Sequence, residues 1–308
     1  MSGPHRVVVA PEVVEALAAG RAVVALESTV ISHGLPQPDN LRIALEIEQA
    51  VRDQGAVPAT VAIVAGAARV GLDEPALRAI AERDDVVKVS PRDLAVIATS
   101  GGFGATTVAS TAHLAARAGI QVFATGGLGG VHRGAATTYD ESADLSTLAR
   151  VPTTVVCAGV KSILDVPATL ERLESYGIGL VGFGTNSFPG FYLTDSGHPL
   201  EHRVDSAEDV AAVMLAREQL GTNDTALIVA YPVPVADQLD PAVHDRVLRE
   251  ALAGAESAGV HGKDVTPYLL ARFHHDTDGA SLRVNTTIIL RNAALAARIA
   301  VARSTIGR

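Results

Sequence analysis

One stretch of the chain, residues 125–165, concentrates side chains that can do chemistry. It contains a glycine-rich turn at 126–130, a histidine-arginine pair, the carboxylates Asp140 and Asp144, and Lys161. Glycine has no Cβ atom and tolerates positive φ, so this turn lets the backbone approach a bound group closely. If a helix begins between the two aspartates, positions i and i+4 bring their carboxylates to the same side. The stretch is therefore the first candidate for a ligand site.

Two lysines and a glutamate interrupt or follow apolar runs that resemble buried strands. Lys161 follows the run 154–159, so it should emerge at the carboxyl end of a strand, where open α/β sheets bind ligands. Glu27 follows the run 23–26, and a carboxyl group beside apolar residues can have the raised pKa that a general acid requires. Lys88 lies within the run 86–89, where an unpaired charge is unfavourable. The alternatives are a solvated loop glutamate and edge-strand lysines that reach solvent.

Strand-like and helix-like patterns alternate along the whole chain, without a low-complexity linker or an internal repeat. Hydrophobic residues make up 48% of the sequence but aromatic residues only 4%, a composition that suits parallel strands covered by helices. The alternation predicts a single α/β domain over residues 1–308, a three-layer α/β/α sandwich whose central sheet is largely parallel or mixed. Strands are predicted at 22–26, 60–63, 86–89, 122–124, 154–157, 179–182 and 226–230. Helices are predicted at 11–19, 40–53, 73–83, 105–118, 166–176, 206–219, 240–257 and 281–302.

Composition excludes several classes of partner. A net charge of −9 and a pI of about 5.5 argue against a nucleic-acid surface, which needs a basic stripe. Cys157 is the only cysteine, so neither an intrachain disulfide nor a cysteine-based zinc site can form, and we expect a small buried strand residue there. The first residues lack a signal-peptide pattern, and no apolar stretch is long enough for a membrane span. We therefore expect a cytoplasmic protein without a membrane or nucleic-acid partner.

Several glycine clusters fail as nucleotide motifs. Lys161 is preceded by Val160, whereas a P-loop needs glycine directly before its lysine. The clusters at 101–104 and 182–184 lack the third glycine of a dinucleotide fingerprint. The hydroxyl residues Ser100, Thr106, Thr107 and Ser110 flank a predicted helix start. There they indicate either an anion site or ordinary helix capping.

A series of stretches, taken together, is more specific than any single motif. In chain order these stretches are ALESTVISHGLP, VVKVSPRDL, GGFGATTVAST, TGGLGGVHRGA, DESADL, VVCAGVKSILD, GKDVTPYLLAR and SLRVNTTIILRNAALAARIA. From about residue 5 to the C-terminus the sequence resembles the pseudouridine-5'-phosphate glycosidase, or pseudouridylate synthase, family.

The resemblance implies reversible cleavage of the C–C glycosidic bond of pseudouridine 5'-phosphate to uracil and ribose 5-phosphate. It implies that Lys161 is a covalent nucleophile that forms an imine with ring-opened ribose, that Glu27 is the proton donor, and that Asp140 holds a divalent metal, Mn²⁺ or another ion such as Mg²⁺. It also implies substrate contacts at Lys88, Val108, Ser142, Ala143 and Asp144. The family's homotrimer is expected here too.

Three further positions are not assigned a specific role. His132 and Asn285 match family positions near the substrate. Tyr231 departs from the asparagine that some relatives have, which puts one pocket contact in doubt. Two other functions stay open from the residues alone: a Schiff-base aldolase for another phosphosugar, which needs no uracil pocket, and a non-catalytic sugar-phosphate sensor, which tolerates loss of Lys161 or Glu27.

Overall fold

The computed structural model describes residues 7–260 and 265–306. The strands within these residues are β1 (Val8–Val9), β2 (Val23–Leu26), β3 (Val57–Val64), β4 (Ala67–Val70), β5 (Val87–Val89), β6 (Gly104–Thr106), β7 (Val122–Ala124), β8 (Thr154–Cys157), β9 (Gly179–Phe183), β10 (Arg203–Val204) and β11 (Leu227–Ala230). The helices are α1 (Pro11–Ala18), α2 (Asp39–Arg52), α3 (Glu74–Glu82), α4 (Leu94–Ser100), α5 (Val108–Ala118), α6 (Ala135–Thr138), α7 (Ala143–Leu148), α8 (Val166–Ser175), α9 (Ala207–Leu220), α10 (Pro241–Ser257), α11 (Val265–Asp276) and α12 (Ala280–Thr305).

The strands form one mixed sheet with a long parallel part. Strand order is β1-β4-β3-β2-β7-β8-β11-β9-β10, and every pair from β3 to β10 along this path is parallel. β3 is long enough to change partners: its first half pairs parallel with β2, and its second half pairs antiparallel with β4 and β6. The predicted largely parallel, mixed sheet is confirmed.

Alternate residues of the central strands pack into two separate cores, one on each face of the sheet. In β2, Val23 and Ala25 join the core beneath α1, α5 and α8, whereas Val24 and Leu26 join the core beneath α2, α9 and α12. This alternation follows from the period of two in a strand, and the two helical layers leave both faces dry. The three-layer α/β/α architecture is confirmed. Its last layer includes the helical C-terminal segment, as the sequence predicts.

Cys157 ends β8 and is fully buried, as predicted. Burial raises the pKa of its thiol to about 12, so the residue is not a thiolate nucleophile. Within the described ranges, no helix is both long enough and apolar enough to cross a membrane.

Some boundaries differ from the sequence prediction. The helix predicted to begin at residue 105 begins at Val108, because Gly104–Thr106 pairs with β3 and β5 and forms a strand. The sequence pattern also gave no prediction of β1, β4, β10, α4, α6 and α11. The stretch GKDVTPYLLAR falls partly on residues 261–264, which lie outside the described residues, and its remainder opens α11.

We expect the N-terminal cap of α9 to contribute to stability independently of activity. Ser206 accepts from the Asp209 amide, and Asp209 accepts in return from the Ser206 amide. Ser206→Ala should lower the free energy of unfolding by about 1 kcal/mol. Chemical denaturation would measure this, with Ser206→Thr as the control that keeps the hydroxyl. A full-size loss in the threonine variant would contradict the capping role.

Candidate active site

A cavity of about 700 Å³ opens at the carboxyl ends of the central parallel strands. Its walls include all eight residues that the sequence analysis assigns to catalysis, substrate binding or metal binding: Glu27, Lys88, Val108, Asp140, Ser142, Ala143, Asp144 and Lys161. They come from β2, β5, α5, α7, β8 and the loops between them. The fold therefore brings together residues that are far apart in the sequence.

Glu27 follows β2 directly and is only 9% exposed. Its Oε1 atom accepts a hydrogen bond from the Thr125 hydroxyl. Burial raises the pKa of Glu27, against the opposing effect of the Lys161 ammonium, because the charged carboxylate is costly in a dry environment. The solvated-loop alternative is therefore wrong for Glu27. The carboxyl group can hold a proton at pH values where an exposed glutamate cannot.

Lys161 leaves β8 through Gly159, which has a φ of +81°. The Lys161 amide donates to Leu128 O at 3.1 Å, and Nζ donates to Gly127 O at 2.8 Å. The side chain is half-buried and lies against the glycine-rich turn. It therefore extends into the cavity from a strand end, as predicted, and not to open solvent from an edge strand.

Asp144 links three elements through its carboxylate. Oδ1 accepts from the Ala109 amide of α5 at 2.9 Å, and Oδ2 accepts from the Gly129 amide at 2.8 Å. Ser142 is the N-cap of α7 and accepts from the Asp144 amide. The pairing of Asp140 and Asp144 on one helix face is wrong, because α7 begins only at Ala143 and Asp140 stays in the preceding loop.

The N-terminus of α5 forms one wall of the cavity. Thr107 caps this helix by accepting from the Ser110 amide, while the Ala109 amide binds Asp144. The Val108 amide has no acceptor among the described residues, and Val108 lines the cavity. Lys88 is half-buried on β5, an edge strand that pairs with β6, and lines the same cavity. An amide and an ammonium group at a helix N-terminus suit an anionic ligand.

The hydroxyl residues near that helix are otherwise structural. Thr106 donates to Val61 O, Ser110 donates to Val89 O, and Ser100 lies at the end of α4 and donates to Ile97 O. The capping interpretation is confirmed at Thr107. The anion interpretation applies to the backbone of Val108 and not to these hydroxyl groups.

Asp140 and His132 lie together at the cavity wall. The Nδ1 atom of His132 is 3.9 Å from Oδ2 of Asp140, and burial lowers the pKa of His132. Across residues 7–260 and 265–306 there is no group of three or more His, Cys, Asp or Glu side chains that could hold a metal ion. The residues present fit only a hydrated ion with one carboxylate ligand, which is a binding mode open to hard divalent cations.

The structure adds site residues that the sequence analysis missed. Thr125 follows β7 and is fully buried against Glu27, so the strand-end rule that selected Glu27 could have found it. Phe191 lines the cavity with a φ of +62°, and Leu270 of α11 lines it as well. Neither carries a sequence signal. Asn285 lines the cavity, whereas Tyr231 lies outside that lining and accepts from Arg291.

Comparison with known proteins identifies a family. The family model described as indigoidine synthase A like protein matches residues 12–302. A curated pseudouridine-5'-phosphate glycosidase of Salinispora tropica is 64% identical over 291 residues, which cover 94% of this chain and 90% of the relative. Another of that name, from Frankia alni, is 57% identical over 98% of this chain and 83% of its own length.

Two solved structures share the fold over nearly the whole chain. One is the prealnumycin C-glycosynthase AlnA in complex with ribulose 5-phosphate, with a TM-score of 0.90 and 36% identity over 98% of this chain and 99% of that one. The other is an indigoidine synthase A-like protein of Thermotoga maritima, with a TM-score of 0.88 and 33% identity over 98% of this chain and 97% of that one.

We expect Gly129→Ala to disrupt the Asp144 contacts. An added Cβ would lie 2.7 Å from Asp144 Oδ2 and also clash with Ser142 Oγ, so the hydrogen bond from the Gly129 amide cannot survive unchanged. Loss of one charged hydrogen bond should weaken binding of a small phosphosugar, with ribose 5-phosphate as the probe, roughly tenfold. Isothermal titration calorimetry would measure this. Gly34→Ala is the control, because its Cβ has room in the same cavity wall, with the nearest atom at 3.5 Å. Equal affinities for both variants would contradict the expectation.

Proposed function

The chain belongs to the indigoidine synthase A like family, and we propose that it splits pseudouridine 5'-phosphate into uracil and ribose 5-phosphate. Like its pseudouridine-5'-phosphate glycosidase relatives, it is an enzyme that cleaves a C-glycosidic bond. The reaction is proposed to be reversible, with Lys161 as the nucleophile and Glu27 as the proton donor. The observation that carries this assignment is that one cavity is lined by both a buried carboxyl group of raised pKa and a lysine held at a strand end.

The bond to be broken explains the need for a lysine. Cleaving it expels carbon 5 of uracil, which leaves with the bonding electrons and is a far poorer leaving group than an oxygen. A pair of carboxylates of the usual glycosidase type is poorly matched to this task. An amine can instead form an imine with the sugar carbon C1', and the new C=N bond forms as the bond from C1' to uracil breaks.

The proposed reaction has three steps. Lys161 first releases the proton of its ammonium group to solvent, and the neutral amine attacks C1' of the ribose while the bond from C1' to the ring oxygen breaks; that oxygen takes up the proton that the attacking nitrogen gives up. The nitrogen lone pair then forms the protonated C1'=N imine while the bond to uracil breaks, and Glu27 delivers its proton to carbon 5 of the base. Water finally hydrolyses the protonated imine, which releases ribose 5-phosphate and the Lys161 ammonium group, and Glu27 regains its proton from solvent. The sum is addition of one water to the substrate.

Burial of Glu27 suits it to the donor step. Its raised pKa keeps the acid form available to higher pH, and the acid form is the one that can protonate carbon. Lys161 and Lys88 lower that pKa and Asp144 raises it. The carboxyl group therefore titrates as part of a charged cluster. Its protonation state depends on the ligand as well as on pH.

The phosphate group is proposed to bind at the N-terminus of α5. Support comes from the unpaired Val108 amide, the Lys88 ammonium in the same cavity and the positive end of the helix. Ser142, Ala143 and Asp144 are proposed to contact the rest of the sugar, next to the glycine-rich turn. The solved relative in complex with ribulose 5-phosphate supports a small phosphosugar ligand.

A divalent ion, Mn²⁺ or Mg²⁺, is proposed to bind at Asp140. Such an ion would supply positive charge for an anionic ligand while keeping several waters. His132, whose pKa burial lowers, neighbours that carboxylate. The homotrimer stays a prediction.

The alternatives differ in what they require of Lys161. A Schiff-base aldolase for another phosphosugar would share the lysine and the anion site but not the need for a uracil pocket. A sensor would need neither Lys161 nor Glu27. The burial of Glu27 and the contacts of both residues favour an enzyme, and the high identity to the curated glycosidases favours this substrate over another phosphosugar.

The first test is borohydride trapping with ribose 5-phosphate, followed by peptide mass analysis. A reduced pentose phosphate adduct on Lys161 is expected, together with release of uracil from pseudouridine 5'-phosphate. Lys161→Arg is the matched control, because it keeps the positive charge but cannot form an imine. An unmodified Lys161 in folded protein supplied with Mn²⁺ would overturn the mechanism and favour the sensor. An adduct without uracil release would favour the aldolase.

The metal proposal predicts that Asp140→Ala abolishes Mn²⁺ binding in calorimetry. The physical reason is that Asp140 supplies the one protein carboxylate that the site offers such an ion. Glu141→Gln is the matched control, since Glu141 lines the same cavity but its carboxylate is already paired with Arg172. Unchanged binding by Asp140→Ala would remove this residue from the metal role.

A further inference from the structure

The Thr125 hydroxyl has only one acceptor for its proton. Thr125 is fully buried, and among residues 7–260 and 265–306 its Oγ1 forms a single hydrogen bond, the one to Glu27 Oε1. A buried hydroxyl proton is rarely left unpaired in a folded protein. Thr125 must therefore donate, and Glu27 Oε1 must accept. Glu27 Oε2 accepts no hydrogen bond from the described residues, and Glu27 lines the cavity.

The position of Thr125 is fixed from two sides. Its amide donates to Val156 O of β8, and its carbonyl accepts from Nδ2 of Asn292 at 2.7 Å. Asn292 lies on α12, is 1% exposed, and also reaches Gly126 O at 3.4 Å. A buried side chain from the helical layer thus holds the backbone that carries the Thr125 hydroxyl. The same contact holds the start of the glycine-rich turn.

We propose that Thr125, held by Asn292, is a positioning residue that keeps Glu27 Oε1 as an acceptor and so places the transferable proton on Oε2. If Glu27 instead carried its proton on Oε1 and donated it to Thr125, the hydroxyl proton would have no acceptor. The hydrogen bond thus selects one of the two carboxyl oxygens as the acid. This inference rests on the proposed role of Glu27 as proton donor.

The hydrogen bond also acts on the ionisation of Glu27. Lys161, Lys88 and Asp144 are the charged groups that act on this carboxyl, and His132 lies at the same cavity wall. Burial raises the pKa of Glu27 most, while Lys161, Thr125 and Lys88 lower it. Removing the Thr125 hydroxyl takes away a contact that favours the carboxylate. The pKa should therefore rise further, and the acid form should persist to higher pH.

The chain provides a matched control. Thr60 of β3 is also buried and donates to a glutamate, Glu48 of α2, whose pKa burial also raises. Neither Thr60 nor Glu48 lines the cavity. Thr60→Val removes the same kind of hydrogen bond from the same kind of carboxyl group. It therefore separates a general effect of the substitution from an effect on Glu27.

The test measures kcat and KM for cleavage of pseudouridine 5'-phosphate against pH in Thr125→Val, Thr125→Ser and Thr60→Val. In the pH range where Glu27 is protonated, Thr125→Val should lower kcat about tenfold to hundredfold, as expected for a misplaced catalytic group, with little change in KM. Its upper pH limb should move to higher pH. Thr125→Ser keeps the hydroxyl group and should have the wild-type kcat and upper pH limb. Thr60→Val should change neither quantity. Carboxyl ¹³C NMR of Glu27 in the resting protein should report the same rise in pKa without turnover.

Wild-type rate and pH profile in folded Thr125→Val would overturn the inference, as would an identical shift in Thr60→Val. If Thr125→Val does not fold, Thr125→Cys provides the second variant. Its thiol is a weak donor, so an intermediate shift supports the inference and no shift overturns it. Glu27→Gln separates the two levels of the argument. Full activity in that variant would refute the donor role in the proposed function, whereas an inactive Glu27→Gln beside an unaltered Thr125→Val refutes the positioning role alone.

Discussion

The parallel register of β2, β7 and β8 is the constraint on which the site depends. Leu26 pairs with Ala124, and Ala124 pairs with Val156, so these strands end at nearly the same level. The residues that follow them must then be neighbours, which places Thr125 beside Glu27 and brings the chain that leads to Lys161 to the same edge. Parallel strands put their carboxyl ends together by necessity. The contact between Thr125 and Glu27 is thus a consequence of sheet register and needs no special loop geometry.

Close backbone approach is the second constraint, and it explains the glycine-rich turn. A Cβ on Gly127 would lie 2.6 Å from the Phe191 ring, and one on Gly130 would lie 2.7 Å from Thr169 Cγ2. Between them, Gly129 lies against Ser142 and Asp144. The turn is therefore in contact on three sides. The backbone groups of the turn form part of the cavity wall: Gly127 O accepts a hydrogen bond from Lys161, and the Gly129 amide donates one to Asp144.

The sequence predicted the positions of Glu27 and Lys161 correctly, because each follows a buried apolar strand. Ligand sites lie at the carboxyl ends of such strands in a parallel sheet. Sequence reasoning failed where tertiary pairing decides the structure. The small residues Gly104 and Ala105 have no strong strand preference, and they form β6 only because β3 and β5 flank them. The predicted pairing of Asp144 with Asp140 was wrong for a related reason, since the partners of Asp144, Ala109 and Gly129, are distant in sequence. The aspartate spacing carried no information about those amides.

Positive charge in the cavity must be local, because the chain as a whole has a net charge of −9. Lysine occurs only at positions 88, 161 and 263, and the first two line the cavity together with Arg92 and Arg150. Arginine stays protonated and cannot become a nucleophilic amine, so an enzyme that forms an imine needs lysine at that point. The cost is that two ammonium groups oppose the raised pKa of the buried proton donor. In the proposed complex Lys161 reacts as a neutral amine and the substrate phosphate offsets the charge of Lys88, so ligand binding itself favours the acid form of Glu27.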